Sequence, residues 1–266
     1  MSTLKRLGVF DSGLGGLTVL NEVCKYNPGL DVVYFGDIAR VPYGSRTVET
    51  INRYAEQDVR FLLSQGVEAI LIACGTVSTN CLPSLQSIFS LPIVGVIDAG
   101  CQAALRASKA KRIGVIGTRA TVNSRAYELR IRELCPEAQT WGVECPLFVP
   151  LIENGFSPDD PITVMTVERY LSQFKGTGVD TIIMGCTHYP FLASTLQKIL
   201  PDVTFINVGK ALSHRLREDF ELPVSSEPSR VSYFVSDEDT GFLQIARTYL
   251  DAVSADEVQK VNIDKF

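Results

Sequence analysis

The sequence ILIACGT at residues 70–76 returns as IIMGCTH at residues 182–188, once in each half of the chain. Each run begins with apolar residues typical of a buried strand. Each then places a cysteine, Cys74 or Cys186, at the predicted strand end with a hydroxyl residue close behind. A matched pair of cysteines indicates two thiols that face each other across one small pocket. Such an arrangement is suited to moving a proton to or from either side of a carbon atom.

Strand-like runs alternate with helix-like runs along the rest of the chain. This alternation predicts an α/β fold in which helices flank mainly parallel sheets. The predicted strands are 7–10, 32–35, 70–73, 93–97, 113–116, 181–184 and 231–235, with a short segment near 141–144. The predicted helices are one that follows the glycines at 13–16, then 51–65 with Gly66 at its end, 123–134, 161–174 and 240–252.

The strand and helix pattern restarts near residue 112, which indicates an internal repeat. The residues RLGVFDS at 6–12 resemble RIGVIGT at 112–118. We therefore predict two pseudo-symmetric α/β domains with an active site in the cleft between them. The first domain is predicted to comprise residues 1–97 plus 210–266, and the second residues 98–209. The final strand and helix would cross back to complete the first domain.

Composition and charge exclude several classes of protein. The chain has 266 residues, a hydrophobic content of 45% and a net charge of -5, which is typical of a globular protein and argues against nucleic acid or an anionic membrane surface as a partner. Its longest apolar runs fall far short of the roughly 20 residues of a membrane helix. The N-terminus lacks the apolar core of a signal peptide. Seven cysteines without CxxC spacing indicate reduced thiols and a cytoplasmic protein.

Polar side chains occupy the predicted strand ends, where parallel sheets place their ligand sites. They are Asp11, Asp37, Cys74, Thr118 and Cys186. A helix N-terminus is expected close to each of the two cysteines, and it stabilises a thiolate. The remaining cysteines are predicted to pack in the core; they are Cys24, Cys81, Cys101, Cys135 and Cys145.

Only two histidines occur in the chain, which gives weight to the one beside a predicted strand end. His188 stands two residues past Cys186, where it can hydrogen-bond the thiol or donate to a substrate carboxylate, or simply pack at a helix start. His214 lies in a charged stretch and is predicted to be a surface residue. The pair formed by Cys186 and His188 is too short and isolated for a metal site, so no metal is expected.

The glycine-rich segment DSGLGG at residues 11–16 predicts a turn between a strand and a helix. It does not fit the dinucleotide fingerprint, because that fingerprint needs a glycine where Thr18 stands. Its backbone N–H groups could hold a small carboxylate at the helix N-terminus. Asp11 is then either a helix cap or a proton partner or ammonium acceptor.

Five motifs together resemble the cofactor-independent aspartate/glutamate racemase family, and its glutamate racemases in particular. They are DSGLGG at 11–16, PYG at 42–44, ACGT at 73–76, CPLFVPLIENG at 145–155 and GCTHYP at 185–190. The resemblance implies two pseudo-symmetric α/β domains, an active site between them, a homodimer and no cofactor. It also implies conversion of L-glutamate to D-glutamate for peptidoglycan.

The resemblance also implies roles for individual residues. Cys74 and Cys186 would be the acid/base thiols on opposite faces of the substrate Cα, with Asp11 assisting Cys74 and His188 assisting Cys186. Glu153 would be auxiliary. The substrate-binding residues would be Asp11, Ser12, Pro42, Tyr43, Gly44, Gly75, Thr76, Thr118, Thr121, Thr187 and His188.

The chain departs from the family pattern chiefly at Gly75, where asparagine is usual. It also has Ala99 where proline commonly follows the acidic residue, and it lacks an Asp-Ser pair around residues 207–209. Three alternatives therefore stay open. They are a racemase of aspartate or of a hydantoin-like substrate, a non-catalytic binding protein on the same scaffold, and a cysteine hydrolase. A hydrolase, however, has no use for a second matched thiol.

Overall fold

The computed structural model describes residues 3–238 and 258–266, and within them the strands form two sheets. The strands are β1 (Arg6–Asp11), β2 (Asp31–Gly36), β3 (Ala69–Ile72), β4 (Ile93–Gly95), β5 (Arg112–Gly117), β6 (Gln139–Glu144), β7 (Thr181–Met184), β8 (Thr204–Asn207), β9 (Arg230–Val235) and β10 (Val258–Lys260). Among these residues the first sheet has the order β10-β9-β2-β1-β3-β4 and the second β6-β5-β7-β8. Each of these pairings is parallel, as the alternation of strands and helices predicts.

Helices connect the strands and cover the sheets. They are α1 (Gly16–Tyr26), α2 (Val48–Ser64), α3 (Gly75–Asn80), α4 (Leu82–Ile88), α5 (Val96–Ala107), α6 (Arg119–Asn123), α7 (Ala126–Leu134), α8 (Phe148–Glu153), α9 (Pro161–Leu171), α10 (Ala193–Ile199) and α11 (Val208–Asp219). Short 3-10 turns include Ile38–Arg40, Tyr43–Ser45 and Tyr189–Leu192. No helix in the described part of the chain is long and apolar enough to cross a membrane.

The order of the strands confirms the predicted pseudo-symmetry. In the first sheet β2-β1-β3-β4 follow one another, and in the second β6-β5-β7-β8 do so in the same arrangement. β1 therefore corresponds to β5, and β3 to β7. Cys74 follows β3 and Cys186 follows β7, so the two cysteines occupy equivalent strand ends.

Helix α2 shows why the local sequence folds as it does. The Thr47 hydroxyl accepts a hydrogen bond from the backbone N–H of Thr50 (3.3 Å) and caps the start of the helix. Apolar side chains at helical spacing face the sheet, and Ile51 and Val59 are fully buried. The helix ends just before Gly66, whose φ of 73° is easily adopted by glycine. The predicted helix 51–65 is thus confirmed, with a start three residues earlier.

Other elements differ from the sequence prediction. The strand predicted at 93–97 ends at Gly95, because Val96 already begins α5. The helix predicted at 123–134 corresponds to α7 and begins three residues later, after Arg125 at a φ of 54°, while a separate helix α6 ends at Asn123. Strand β9 joins the first sheet as expected, whereas the helix predicted at 240–252 lies outside the described residues.

The predicted domain boundaries fall inside two helices. Residue 98 lies in α5 and residue 210 in α11, and these helices pack against each other. The division into 1–97 plus 210–266 and 98–209 stays a prediction. Each of the seven cysteines is free, and those assigned to the core are buried apart from Cys135, which is half-buried. His214 is exposed, as predicted.

Candidate active site

Cys74 and Cys186 line the same small cavity at the carboxyl ends of β3 and β7. The cavity has a volume of about 40 Å³, which is room for a few water molecules at most. Most residues predicted for the site line it. They are Ser12, Pro42, Tyr43, Gly44, Cys74, Gly75, Thr76, Thr118, Glu153, Cys186, Thr187 and His188.

The Cys74 thiol is buried close to the carboxylate of Asp11. It stands between the end of β3 and the start of α3, and its sulfur is 3.2 Å from the Oγ of Ser12. Burial raises the pKa of Cys74 to about 12, and the negative charge of Asp11 adds to this effect. The expected lowering by a helix N-terminus is therefore outweighed, and Cys74 is a thiol at neutral pH.

The Cys186 thiol has a charged neighbour. His188 Nδ1 lies 3.8 Å from the Cys186 sulfur, and His188 Nε2 lies 3.0 Å from Glu153 Oε1. Burial lowers the pKa of His188, but hydrogen bonds with Cys186 and with Glu153 outweigh it and raise the pKa to about 10. His188 is thus an imidazolium at neutral pH and donates from both ring nitrogens. This cation stabilises negative charge on the Cys186 sulfur.

A short 3-10 turn, rather than the start of an α-helix, follows Cys186 and His188. Pro190 lies in the 3-10 turn Tyr189–Leu192, and α10 begins only after that turn. The Tyr189 hydroxyl donates to the carbonyl oxygen of Cys145 (3.0 Å), which ties the turn to the CPLFVPLIENG segment. The turn therefore holds His188 and Glu153 close enough for their hydrogen bond.

Asp11 is fully buried behind the cavity and joins the two halves of the protein. Its carboxylate accepts hydrogen bonds from Gly13 N (3.0 Å) and from the Thr187 hydroxyl (3.4 Å). Burial raises the pKa of Asp11, and the charge of His188 acts in the opposite direction. The group in contact with the Cys74 sulfur is Ser12, so Asp11 acts on Cys74 through space and through the glycine-rich loop.

A row of threonine hydroxyls crosses the cleft opposite Asp11. Thr76 Oγ1 lies 3.1 Å from Thr118 Oγ1, and Thr118 Oγ1 donates to Thr121 Oγ1 over 3.1 Å. Thr76 and Thr118 line the cavity. Thr121 is buried behind Thr118, so it is placed to orient that hydroxyl rather than to meet a ligand.

The hydroxyl of Tyr43 points away from the cavity, although the residue lines it. It donates a hydrogen bond to Asp37, and it also lies 3.2 Å from Asp58 Oδ2. Tyr43 can therefore meet a ligand only through its backbone, together with Pro42 and Gly44. The sequence prediction named Asp37 as a strand-end residue but did not include Asp58. A carboxylate on the apolar face of α2 was the signal that could have identified it.

Gly15 of the glycine-rich loop lies in close contact with the second half of the protein. A Cβ on Gly15 would lie 2.4 Å from His188 Nδ1, well inside contact distance. Thr18, one turn further along α1, donates to the carbonyl oxygen of Thr187 over 2.8 Å. The loop thus carries no side chain where the imidazolium needs space.

Within the described residues, no group of three or more His, Cys, Asp or Glu side chains could hold a metal ion.

A sequence model described as Asp/Glu/Hydantoin racemase matches residues 18–216 of the chain. The protein belongs to this family. The resemblance seen in the five motifs is thereby confirmed.

Individual members of the racemase family are similar over most of the chain. A glutamate racemase of Geobacter metallireducens is 39% identical over 260 residues, which cover 96% of each protein. A glutamate racemase of Hydrogenobaculum sp. is 47% identical over 208 residues, covering 78% of this chain and 79% of that protein.

The solved structures of this racemase family share the fold. The crystal structure of glutamate racemase from Francisella tularensis, in complex with D-glutamate, has a TM-score of 0.89 and 35% sequence identity. It covers 98% of this chain, and this chain covers 99% of it. The predicted α/β fold with two sheets flanked by helices is confirmed by this likeness.

Proposed function

We propose that this protein is a glutamate racemase that interconverts L- and D-glutamate by transferring a proton at Cα between two cysteines. The observation that carries the proposal is that Cys74 and Cys186 stand at equivalent strand ends and line one cavity. Two bases on opposite faces of one carbon atom suit inversion, whereas hydrolysis needs only one nucleophile.

The two thiols have different neighbours. Burial keeps Cys74 protonated, whereas the His188 imidazolium lies 3.8 Å from the Cys186 sulfur. With a substrate between them, the Cys186 thiolate removes the Cα proton from one face and the Cys74 thiol delivers a proton to the other. After inversion the protonation states are exchanged, and the opposite enantiomer then reacts in the reverse direction.

The main chemical difficulty is the weak acidity of the Cα–H bond of an amino acid. Cofactor enzymes solve it with an electron sink. Here the stabilisation would come from preorganised donors around the α-carboxylate in a water-poor cavity. Ser12 and Thr76 line that cavity and their hydroxyls can supply such donors, whereas the hydroxyl hydrogens of Thr118 and Thr187 are directed to Thr121 and Asp11. The backbone N–H groups of the glycine-rich loop add to them.

The described conformation is a closed one. A cavity of about 40 Å³ is far below the roughly 300 Å³ or more of ordinary ligand pockets. We propose that the two halves separate to admit glutamate and close again around it. Closure would bring both thiols to the Cα atom and exclude water from the carbanionic transition state.

The substrate assignment rests on the relatives, since several are glutamate racemases over most of their length. Aspartate stays the second candidate because the family description includes it. We also propose that D-glutamate made here supplies peptidoglycan, that the enzyme is cytoplasmic and that it works as a homodimer without a cofactor.

One experiment tests the reaction directly. Purified protein is incubated with L-glutamate in D₂O without added cofactor, and Cα deuteration and optical rotation are followed. We expect deuterated D-glutamate to form. No exchange with glutamate or aspartate would contradict the racemase assignment.

Two cysteine variants test the mechanism. Cys74→Ser and Cys186→Ser should each lower the racemisation rate by about 10²-fold or more, because serine is a far weaker acid than cysteine. Cys135→Ser is the matched control, since this thiol lies outside the cavity and is half-buried. Full activity in either catalytic variant would rule out the two-base mechanism even if racemisation occurs.

A further inference from the structure

Four charged or polar side chains form a cluster next to the cavity. They are Asp37, Arg40, Tyr43 and Asp58, and we refer to them as the Asp58 cluster. Arg40 Nε lies 2.5 Å from Asp37 Oδ2, and Arg40 Nη2 lies 2.9 Å from Asp58 Oδ1. The Tyr43 hydroxyl donates to Asp37 and is close to Asp58.

The cluster is almost completely buried. Both carboxylates are fully buried, and the Arg40 side chain is only 11% exposed. Burial raises the pKa of Asp58, and the nearby charge of Asp37 raises it further. One guanidinium thus faces two carboxylates. Buried ion pairs seldom stabilise a fold more than well-packed apolar side chains do, so stability alone does not account for this arrangement.

The cluster holds both ends of the turn that covers the cavity. Asp37 and Arg40 precede the turn, and Tyr43 follows Pro42 within it. Asp58 comes from α2 and ties the turn to a helix of the first sheet. The two residues between Arg40 and Tyr43, Val41 and Pro42, line the cavity, and so does Gly44 directly after Tyr43. Any loosening of the cluster therefore displaces the cavity wall.

The same turn reaches the second half of the protein. A Cβ on Gly44 would lie 3.1 Å from the Cβ of Thr118, so the backbone of the turn packs directly against a cavity hydroxyl residue. The position of this backbone sets the distance between the turn and Thr118. That distance limits the space left for a ligand.

We propose that Arg40 and Asp58 are positioning residues for substrate binding: through Asp37 and Tyr43 they fix residues 41–44 against the cavity, so that the turn meets the glutamate carboxylate in one place. The proposal deepens the proposed function and rests on it. The cluster does not touch either thiol, so it acts on substrate binding rather than on proton transfer.

The test compares Tyr43→Phe with the wild type, because this variant removes one hydroxyl and keeps the packing. We expect KM for L-glutamate to rise about tenfold while kcat changes by less than about threefold. A loss of folded protein would lower the apparent kcat and leave KM unchanged, so the split separates positioning from stability. Tyr170→Phe is the matched control, since Tyr170 lies on α9 away from the cavity.

Variants of Arg40 provide a graded test. Arg40→Met should raise KM more than Arg40→Lys, because lysine keeps the charge but cannot bridge both carboxylates. The KM of Asp58→Asn should lie between those of Arg40→Met and Arg40→Lys. Calorimetric titration with D-glutamate gives the same order in Kd and does not depend on turnover.

The outcomes are distinguishable. If wild-type protein binds D-glutamate but does not racemise it, the proposed function fails while the Kd series still tests the cluster. If the wild type does not bind glutamate at all, both proposals fail. If Tyr43→Phe and Arg40→Met lower the melting temperature but keep KM and Kd within about twofold, the cluster is structural only and the proposal is overturned.

Discussion

A Cβ atom on Gly75 would lie 2.2 Å from the carbonyl oxygen of Gly185, so the two cysteine-bearing segments meet only because residue 75 has no side chain. The obstacle is backbone from the opposite half, which a rotamer change cannot relieve. Gly75 is also the position at which the family resemblance led us to expect asparagine. The chain therefore closes its cleft more tightly at this point than an asparagine would allow.

Gly75→Ala should impair closure of the cleft. The methyl group would force the two segments apart by about 1 Å, and a displacement of this size is expected to lower kcat/KM by about 10²-fold. Gly75→Asn should be at least as severe, because its side chain is larger. Measured kcat/KM values for both variants provide the check.

Gly100→Ala serves as the control for this prediction. Its Cβ would meet a Val208 methyl group at 3.1 Å, which can shift slightly, and it lies in α5 outside the cavity. We expect its activity to stay within about twofold of the wild type. Full activity of Gly75→Asn would show that the close contact with Gly185 is absent from the working enzyme.

The charge of Glu153 should determine the alkaline limit of activity. Hydrogen bonds with Cys186 and Glu153 raise the pKa of His188 to about 10 against burial, and the protonated form donates to Cys186. Glu153→Gln removes the negative charge, so the pKa of His188 falls by about one unit or more. The alkaline limb of the kcat/KM profile should move to lower pH accordingly. Glu144→Gln, which alters an exposed ion pair with Arg119, should leave the limb in place.

Protonation of His188 should also stabilise the fold. Its pKa lies near 10 in the folded protein and near 6.5 without the surrounding structure. The contribution to the free energy of unfolding is therefore complete below about pH 6.5 and is lost as pH rises through about 10. The free energies of unfolding of the wild type and of Glu153→Gln, measured by denaturant titration over this range, should become equal at the alkaline end. A difference in the free energy of unfolding that stays constant across the whole range would contradict a role of Glu153 in raising the pKa of His188.

Loss of the Ser12 hydroxyl should affect proton transfer at the face of the substrate Cα that meets Cys74. Its contact with the Cys74 sulfur opposes the rise in the pKa of that thiol, so Ser12→Ala makes thiolate formation at Cys74 less favourable. We expect kcat/KM to fall about tenfold or more. The value of kcat/KM falls by the same factor for L- and D-glutamate, because the two enantiomers are equally stable and the ratio of their kcat/KM values equals the equilibrium constant of one. The primary deuterium isotope effect should increase only for the enantiomer whose Cα–H faces Cys74, and Ser172→Ala should change neither.

A single hydroxyl should contribute measurably to closure. Thr18 Oγ1 lies 2.8 Å from the carbonyl oxygen of Thr187 across the cleft and 2.9 Å from that of Gly15, so its one hydrogen is shared between them. Thr18→Val removes both contacts at nearly constant volume. One net hydrogen bond is worth about 1 kcal/mol, so kcat/KM should fall roughly two- to tenfold. Thr166→Val removes a similar bond to the Ile162 carbonyl on an exposed helix face and should have no kinetic effect. If Thr18→Val and Thr166→Val have the same kcat/KM, the Thr18 hydroxyl does not contribute to closure.

Elements with long apolar runs were predictable, and those without them were not. Strands β3 and β7 are fully buried on both faces and read as continuous apolar runs. Strand β8 lies at the edge of its sheet, is only partly buried and was missed. Helix α3 provides the helix N-terminus expected next to Cys74, but its extent was not predicted, because its sequence GTVSTN has no helical spacing of apolar residues.

The sequence by itself determined the sheet class, the repeat and the two thiols, because strand periodicity and strand-end cysteines are local properties of the chain. Only the tertiary structure decided which groups meet. The contacts of Ser12 with Cys74 and of Glu153 with His188, and the burial of Asp58 beside Arg40, depend on how separate elements pack. Burial and partner geometry set the charge of a group, and neither can be read from the spacing of residues.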